Sequence, residues 1–305
     1  MLGYLKRRYR NHLDQVLSTI KLIDVEERYD IYFSRFYGLY FAKVGRWLGL
    51  TPTHVSLISL MIGIVGGAML YYQNSTLIIA IAGFLIVWAG VLDSADGQLA
   101  RMTGQSSELG RQIDGLIDNL VFISCYIGGT LYLVPQYGYW ALLLMVAAGV
   151  AHSYKAGLYE FYKSEYLYLV GKSPAGYIPL TKDEIKPTGD KWFHKIIHYI
   201  NLDYTGKQIG STTRSVYERK KMRQLSKDIP EKFDPLYSEM NLKMLFWWAW
   251  LGGSNTHRNA MIVSALLGRF DLYLALSLIW TVGYWPLNRM QRSYDRKLLN
   301  ELANN

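Results

Sequence analysis

Four aspartates stand at fixed spacing in this chain. They lie in Asp93-x-x-Asp96-Gly97-x-x-Ala100-Arg101 and, after eight further residues, Gly110-x-x-x-Asp114-x-x-x-Asp118. Helical residues three and four apart share a face, so Asp93, Asp96, Gly97 and Ala100 form one stripe and Gly110, Asp114 and Asp118 a second. The connection is short, which makes the two helices antiparallel neighbours with stripes that can face each other. Both segments are strongly apolar, and a carboxylate in such a setting is costly unless something compensates it. Hard oxygen ligands in this number suit Mg²⁺ or Mn²⁺, one ion or a pair. Metal ions at a membrane surface suit displacement at phosphorus. One carboxylate can take the proton from an attacking hydroxyl, and Arg101 can hold a phosphate by charge-assisted hydrogen bonds. Small residues at 97, 100 and 110 leave room for a substrate. Helix–helix hydrogen bonding, the ordinary role of a lone intramembrane acid, does not account for four carboxylates on two facing stripes.

The elements that must carry this motif are membrane helices. Of 305 residues, 50% are hydrophobic and 14% aromatic, with mean hydropathy +0.04. That balance implies a membrane portion beside a polar one. Apolar runs at 55–72, 77–100, 113–134, 139–159, 241–267 and 272–288 approach the ~20 residues needed to cross a bilayer. The expected fold is an all-α integral membrane protein with six transmembrane helices, N-terminal interfacial helices and a cytoplasmic insertion. All of the 33 Lys and Arg except Arg258 and Arg269 fall in segments 1–53, 101–111, 155–245 and 289–305. The positive-inside rule then puts both termini and the Asp motif on the cytoplasmic side. The net charge of +9 suits anionic lipid headgroups, and no nucleic-acid-binding motif is present. Residues 1–12 are too polar for the apolar core of a signal peptide.

The chain divides into 1–50, interfacial and amphipathic; 51–160, the first four spans with the motif; 161–240, the insertion; 241–292, the last two spans; and a tail from 293 to 305. Basic and aromatic residues alternate through the first of these, as in helices lying along an interface. Thr51 and Pro52 read as the N-cap and first residue of the first span. In the insertion, Trp192–Ile200 is amphipathic and Ser215–Lys227 is basic, either a solvated helix or one that contacts headgroups. His194 and His198 stand one turn apart but lack a third metal ligand. Ser254, Asn255, Thr256, His257 and Arg258 interrupt the fifth run, as a polar break or as contacts to an acceptor and its phosphate.

The spacing D-x2-D-G-x2-A-R-x8-G-x3-D-x3-D resembles the signature of the CDP-alcohol phosphotransferases, and every fixed position is filled here. The resemblance covers 51–160. It implies a six-helix membrane enzyme that moves a substituted phosphate group from a CDP-linked donor to an alcohol and releases CMP. By the same resemblance Asp93 and Asp114 contact both of two metal ions, Asp96 the first and Asp118 the second, and Asp118 is also the general base. Gly97, Arg101 and Ser107 would contact the CDP portion, with Gly110 lining the substrate. The family often has Pro-Asn at the start of the first span. Pro52-Thr53-His54-Val55-Ser56 replaces that Asn by Thr53, leaving Thr53 and Ser56 as candidate nucleotide contacts and His257 as a candidate acceptor contact. The donor expected is CDP-diacylglycerol with a soluble polyol; the alternative is a CDP-polar alcohol with diacylglycerol or a ceramide. A bacterial inner membrane is the expected site, and a homodimer is compatible. The rival from another class is a cation-coupled transporter, for which no inverted repeat is visible.

Overall fold

Apolar runs bounded by capping residues become helices, and all regular structure among the described residues is helical. The computed structural model describes residues 2–20, 22–106, 108–187, 189 and 191–303. Helix α1 (Leu2–Ser18) is followed by a π-helical turn at Asp30–Ser34 that runs into α2 (Arg35–Trp47). Then come α3 (Pro52–Met69), α4 (Thr76–Thr103), α5 (Glu108–Leu131), the single turn α6 (Val134–Tyr137) and α7 (Trp140–Leu169). The remainder is α8 (Trp192–Ser211), α9 (Val216–Asp228), α10 (Pro230–Gly252), α11 (Ser254–Leu266), α12 (Phe270–Val282) and α13 (Tyr284–Ala303). The chain forms two units: residues 1–145 with 258–273, and residues 146–257 with 274–305.

In the first unit, α3 packs against both α4 and α5. The α3–α5 approach is a backbone contact, since a Cβ on Gly128 would fall 2.1 Å from the Gly67 carbonyl oxygen. Helix α2 lies along α4, with Ala42, Val55, Ala95 and Leu99 buried together. On α2, Tyr37, Tyr40, Val44 and Trp47 are exposed.

Three of the described helices, α3, α4 and α7, are long and apolar enough to cross a membrane. The runs expected as the last two spans differ from single helices. The run 241–267 is broken at Gly253, where the backbone turns extended between α10 and α11. The run 272–288 is broken at Gly283, with Pro286 in the first turn of α13, a position that suits the start of a helix rather than its interior. The 13 residues of α12 span about 20 Å at ~1.5 Å per residue, short of the ~30 Å hydrocarbon core. Mean apolarity carries through both breaks, which is why the sequence reads as continuous there.

In the second unit the basic segment 215–227 does become a helix, α9, with Ser215 and Glu218 forming a reciprocal N-cap. Its Arg219 and Arg223 turn inward rather than to solvent. Both donate to Glu165 Oε1 at 3.0 Å, and Arg214 lies 3.5 Å from the other oxygen. Arg214 also pairs with Asp295 at 2.8 Å. Arg219 and Arg223 donate further to the carbonyl of Ile178, tying down the connection between α7 and α8. Removing the shared partner leaves the buried Arg219 and Arg223 without a carboxylate and Arg214 with Asp295 alone. Glu165→Ala is therefore expected to lower stability by about 3–5 kcal/mol, read as a drop in the thermal unfolding midpoint of purified protein.

Candidate active site

The local rules that end α4 and start α3 also build the site. Thr51 accepts from the His54 backbone N–H at 3.3 Å, and the His54 ring accepts from the Thr51 N–H at 3.3 Å. This cap fixes the entry of α3 and turns Ser56 inward, 6% exposed, while Thr53 faces out. Ser56 Oγ donates to Asp96 Oδ2 at 2.5 Å. One turn on, Ser59 Oγ donates to the Ala89 carbonyl at 2.8 Å, which holds α3 and α4 in register. Helix α4 stops at Gly104, which adopts φ +68°, and the Gln105 N–H returns to the Ala100 carbonyl. A left-handed glycine is a common device for ending a helix, and here it does so just past Arg101.

Asp93, Asp96 and Asp114 converge. One carboxylate oxygen from each lies within 4.8 Å of the other two, and Asp96 is buried. Asp118, one turn beyond Asp114 on α5, is close enough for its charge to act on both α4 aspartates, though it lies outside that tight group. Asp93 Oδ1 is buried with no hydrogen-bond partner. A buried carboxylate oxygen without a partner, among three carboxylates at this distance, fits a hard divalent cation that takes oxygen ligands. Among the described residues this is the one such cluster.

The guanidinium of Arg101 folds back over Gly97. A Cβ at that position would sit 3.4 Å from Nη1, in van der Waals contact with the cation. Arg101 Nε is buried without a partner, and the charges of Asp96 and Asp114 act on the group. Gly110 lies in the first turn of α5, four residues ahead of Asp114. Ser107 lies outside the described residues. His257 belongs to the second unit, where its ring Nε2–H donates to the Leu251 carbonyl at 3.1 Å and the ring stacks on His152 at 3.6 Å.

Two residues outside the fixed positions of the motif also border the site. Gln98, fully buried, donates to Thr19 Oγ1 at 3.0 Å and to the Arg35 carbonyl at 3.1 Å. It thereby fastens the N-terminal segment beside Gly97, with Arg35 paired to Glu26 at 2.7 Å. An unspecified position inside a motif carries no signal that would have revealed it. The second residue is Arg258, whose guanidinium rests on Gly90, one turn before Asp93.

Residues 49–168 match the family described as CDP-alcohol phosphatidyltransferase. These residues form a CDP-alcohol phosphatidyltransferase domain. The domain contains all four aspartates together with Ser56, Gly97 and Arg101, and it excludes His257, Arg258 and the helices after α7. The chain is also similar to an archaetidylinositol phosphate synthase of Pyrococcus horikoshii, 36% identical over 81 residues. That match covers 27% of this chain and 41% of the relative, so the chain spans well under half of that protein's length. No solved structure matches the chain.

Because Ser56 orients a carboxylate of the cluster, Ser56→Ala is expected to weaken Mn²⁺ binding by roughly tenfold, the lower end of what a residue supporting a metal ligand contributes. Titration of the purified variant followed by electron paramagnetic resonance checks this.

Proposed function

We propose that the chain is a membrane enzyme of phospholipid synthesis that transfers a substituted phosphate group from a CDP-linked donor to an alcohol and releases CMP. The observation that carries this reading is the convergence of Asp93, Asp96 and Asp114 within a CDP-alcohol phosphatidyltransferase domain. With Asp118 these residues would hold a pair of Mg²⁺ or Mn²⁺ ions, which when bound neutralise phosphate oxygens and stabilise the leaving group. Asp118 takes the proton from the acceptor hydroxyl. The acceptor oxygen then bonds to phosphorus, the bond from phosphorus to the CMP oxygen breaks, and CMP leaves with the electron pair. Arg101 holds the diphosphate, with its unpartnered Nε as one donor, and Gly97 lies under this cation. Ser56 holds Asp96 in its ligating position throughout.

The relative's name, a synthase of archaetidylinositol phosphate, supports a lipid-linked CDP donor, here CDP-diacylglycerol, over a soluble CDP-alcohol with a lipid acceptor. The spread of Lys and Arg supports a cytoplasm-facing site. Helix α5 and the broken segments α10–α11 and α12–α13 would complete six passages, since non-helical backbone at membrane depth is tolerated where protein or a cavity surrounds it. The exposed aromatic face of α2 would lie in the interface.

Full-length protein reconstituted with Mg²⁺, CDP-diacylglycerol and a panel of polyols is expected to release CMP. Chelation should stop release. Asp118→Asn should lower kcat by 10²-fold or more, in line with the typical worth of a general base, while Mn²⁺ held by Asp93, Asp96 and Asp114 remains bound. CMP formation that survives Asp118→Asn would remove the assigned base, and release that persists in chelator would remove the metals.

A further inference from the structure

A polar cleft lies wholly within the second unit, between α7 and α8, and the transferase chemistry does not use it. Its volume is about 290 Å³, and Tyr154, Lys182, Lys207, Gly210 and Ser211 are among its walls. A Cβ on Gly157 of α7 would meet the side chain of the buried Gln208 of α8 at 3.7 Å, so the two helices touch beside the cleft. Lys182 reaches across Gly206. A Cβ there would fall 2.6 Å from its Nζ, so the ammonium occupies the space that this glycine leaves on α8. Gly210, one turn further on, has nothing within 4 Å of where a Cβ would stand, and the cleft is open on that side. Lys207 pairs with Asp203 at 2.5 Å. Among the described residues no carboxylate pairs with Lys182. Two ammonium groups against a single carboxylate leave the cleft positively charged.

Both helices lead apolar surface to this cleft. On α7, Val146, Val150 and Tyr154 are exposed on one face, and Tyr154 belongs to the cleft wall. On α8, Trp192, Ile196 and Tyr199 are exposed, and the same face continues through Asp203 to Gly206 and Gly210. Lys191 and Lys195, also exposed, flank the start of that stripe. Helix α7 is long and apolar enough to cross a membrane. Tyr139 and Trp140 are exposed where it begins, as aromatic residues at a membrane interface are. Tyr154 and Gly157 stand about 21 and 26 Å further along the axis at ~1.5 Å per residue, close to the far boundary of a ~30 Å hydrocarbon core. The cleft therefore sits near the level of lipid phosphates, at the end of α7 that the distribution of Lys and Arg assigns to the cytoplasmic leaflet. That leaflet carries anionic lipid, and basic pockets beside membrane helices bind its headgroups. A cationic cleft approached along apolar surface fits a ligand with both an acyl chain and an anionic head; a soluble anion has no use for the apolar approach.

We propose that the cleft between α7 and α8 holds the headgroup of an anionic phospholipid of the cytoplasmic leaflet, with Lys182 and Lys207 at its phosphate and an acyl chain along Val146, Val150 and Tyr154. This rests on the membrane placement proposed above and is independent of the aspartate chemistry. Native mass spectrometry of the full-length protein, titrated with phosphatidylglycerol or with phosphatidylcholine of the same acyl chains, tests it, since only the headgroup differs. Wild-type protein is expected to retain one phosphatidylglycerol at least tenfold more tightly than phosphatidylcholine. Lys182→Gln combined with Lys207→Gln should reduce that preference by roughly tenfold or more, the combined effect of two lysines beside an anionic headgroup. Gly210→Leu keeps both charges, fills the open side of the cleft and favours the helix. It should weaken retention of phosphatidylglycerol without unfolding the protein. Lys220→Gln combined with Lys227→Gln, an equal change of net charge at exposed positions of α9 that do not line the cleft, should leave the preference as it is.

Equal retention of the two lipids by wild-type protein would overturn the proposal, as would a preference that neither the Lys182 and Lys207 changes nor Gly210→Leu lowers. A preference lowered as much by the α9 changes would reduce it to net charge and also overturn it. Displacement of phosphatidylglycerol by inorganic phosphate would assign the lysines to a soluble anion, with the same consequence. Protein that does not incorporate into lipid nanodiscs would remove the membrane placement, and the proposal with it. Protein that retains phosphatidylglycerol as predicted but releases no CMP would support the proposal and refute the transferase reading alone.

Discussion

Gathering carboxylates at the ends of apolar helices is the constraint to which the first unit is fitted. Asp93, Asp96 and Asp114 repel one another at the distances observed, and an apolar surrounding weakens the screening that water would supply. The arrangement is sustained by what surrounds it. Ser56 donates to Asp96 across 40 residues of sequence. The backbone contact of Gly67 with Gly128 lets α3 and α5 close on each other. Gly104 ends α4 immediately after Arg101, so that the chain can return as α5 with its own aspartates facing back. A cation between the carboxylates completes the balance, and the unpartnered Asp93 Oδ1 shows where the protein alone leaves it incomplete.

The remainder of the chain supplies supports that the motif lacks. Gln98 ties the N-terminal segment to the motif helix, and the Arg35–Glu26 pair steadies the segment it holds. Both act within the first unit, close to where Arg101 would meet a diphosphate. The second unit is organised around a different electrostatic centre, in which Glu165 is shared among three arginines and Asp295 takes part of the load. Buried networks of this kind tolerate little change, because each partner is the compensation for another's desolvation.

The sequence disclosed what depends on local spacing. Intervals of three and four residues predicted the two Asp stripes, and the Thr51-Pro52 start predicted the cap of α3. Contacts between residues distant in sequence were not readable in the same way. Nothing in Pro52–Ser56 announces that Ser56 will engage Asp96, and Gln98 occupies a position the motif leaves open. Arg219 and Arg223 read as solvated or headgroup-facing cations because periodicity alone does not show Glu165 on another helix. The runs 241–267 and 272–288 read as continuous spans because average apolarity conceals a single extended residue such as Gly253. His257 and Arg258 adjoin in sequence, yet consecutive helical residues point about 100° apart. Only Arg258 comes to rest on the motif helix.

The central claim is that these aspartates form a divalent-metal centre on which the chemistry depends. Electron paramagnetic resonance of Mn²⁺ bound to the purified full-length protein tests it most directly. Tight binding by wild-type protein that weakens at least tenfold in Asp93→Asn is the predicted result. Equal Mn²⁺ affinity and stoichiometry in the two proteins would contradict the account.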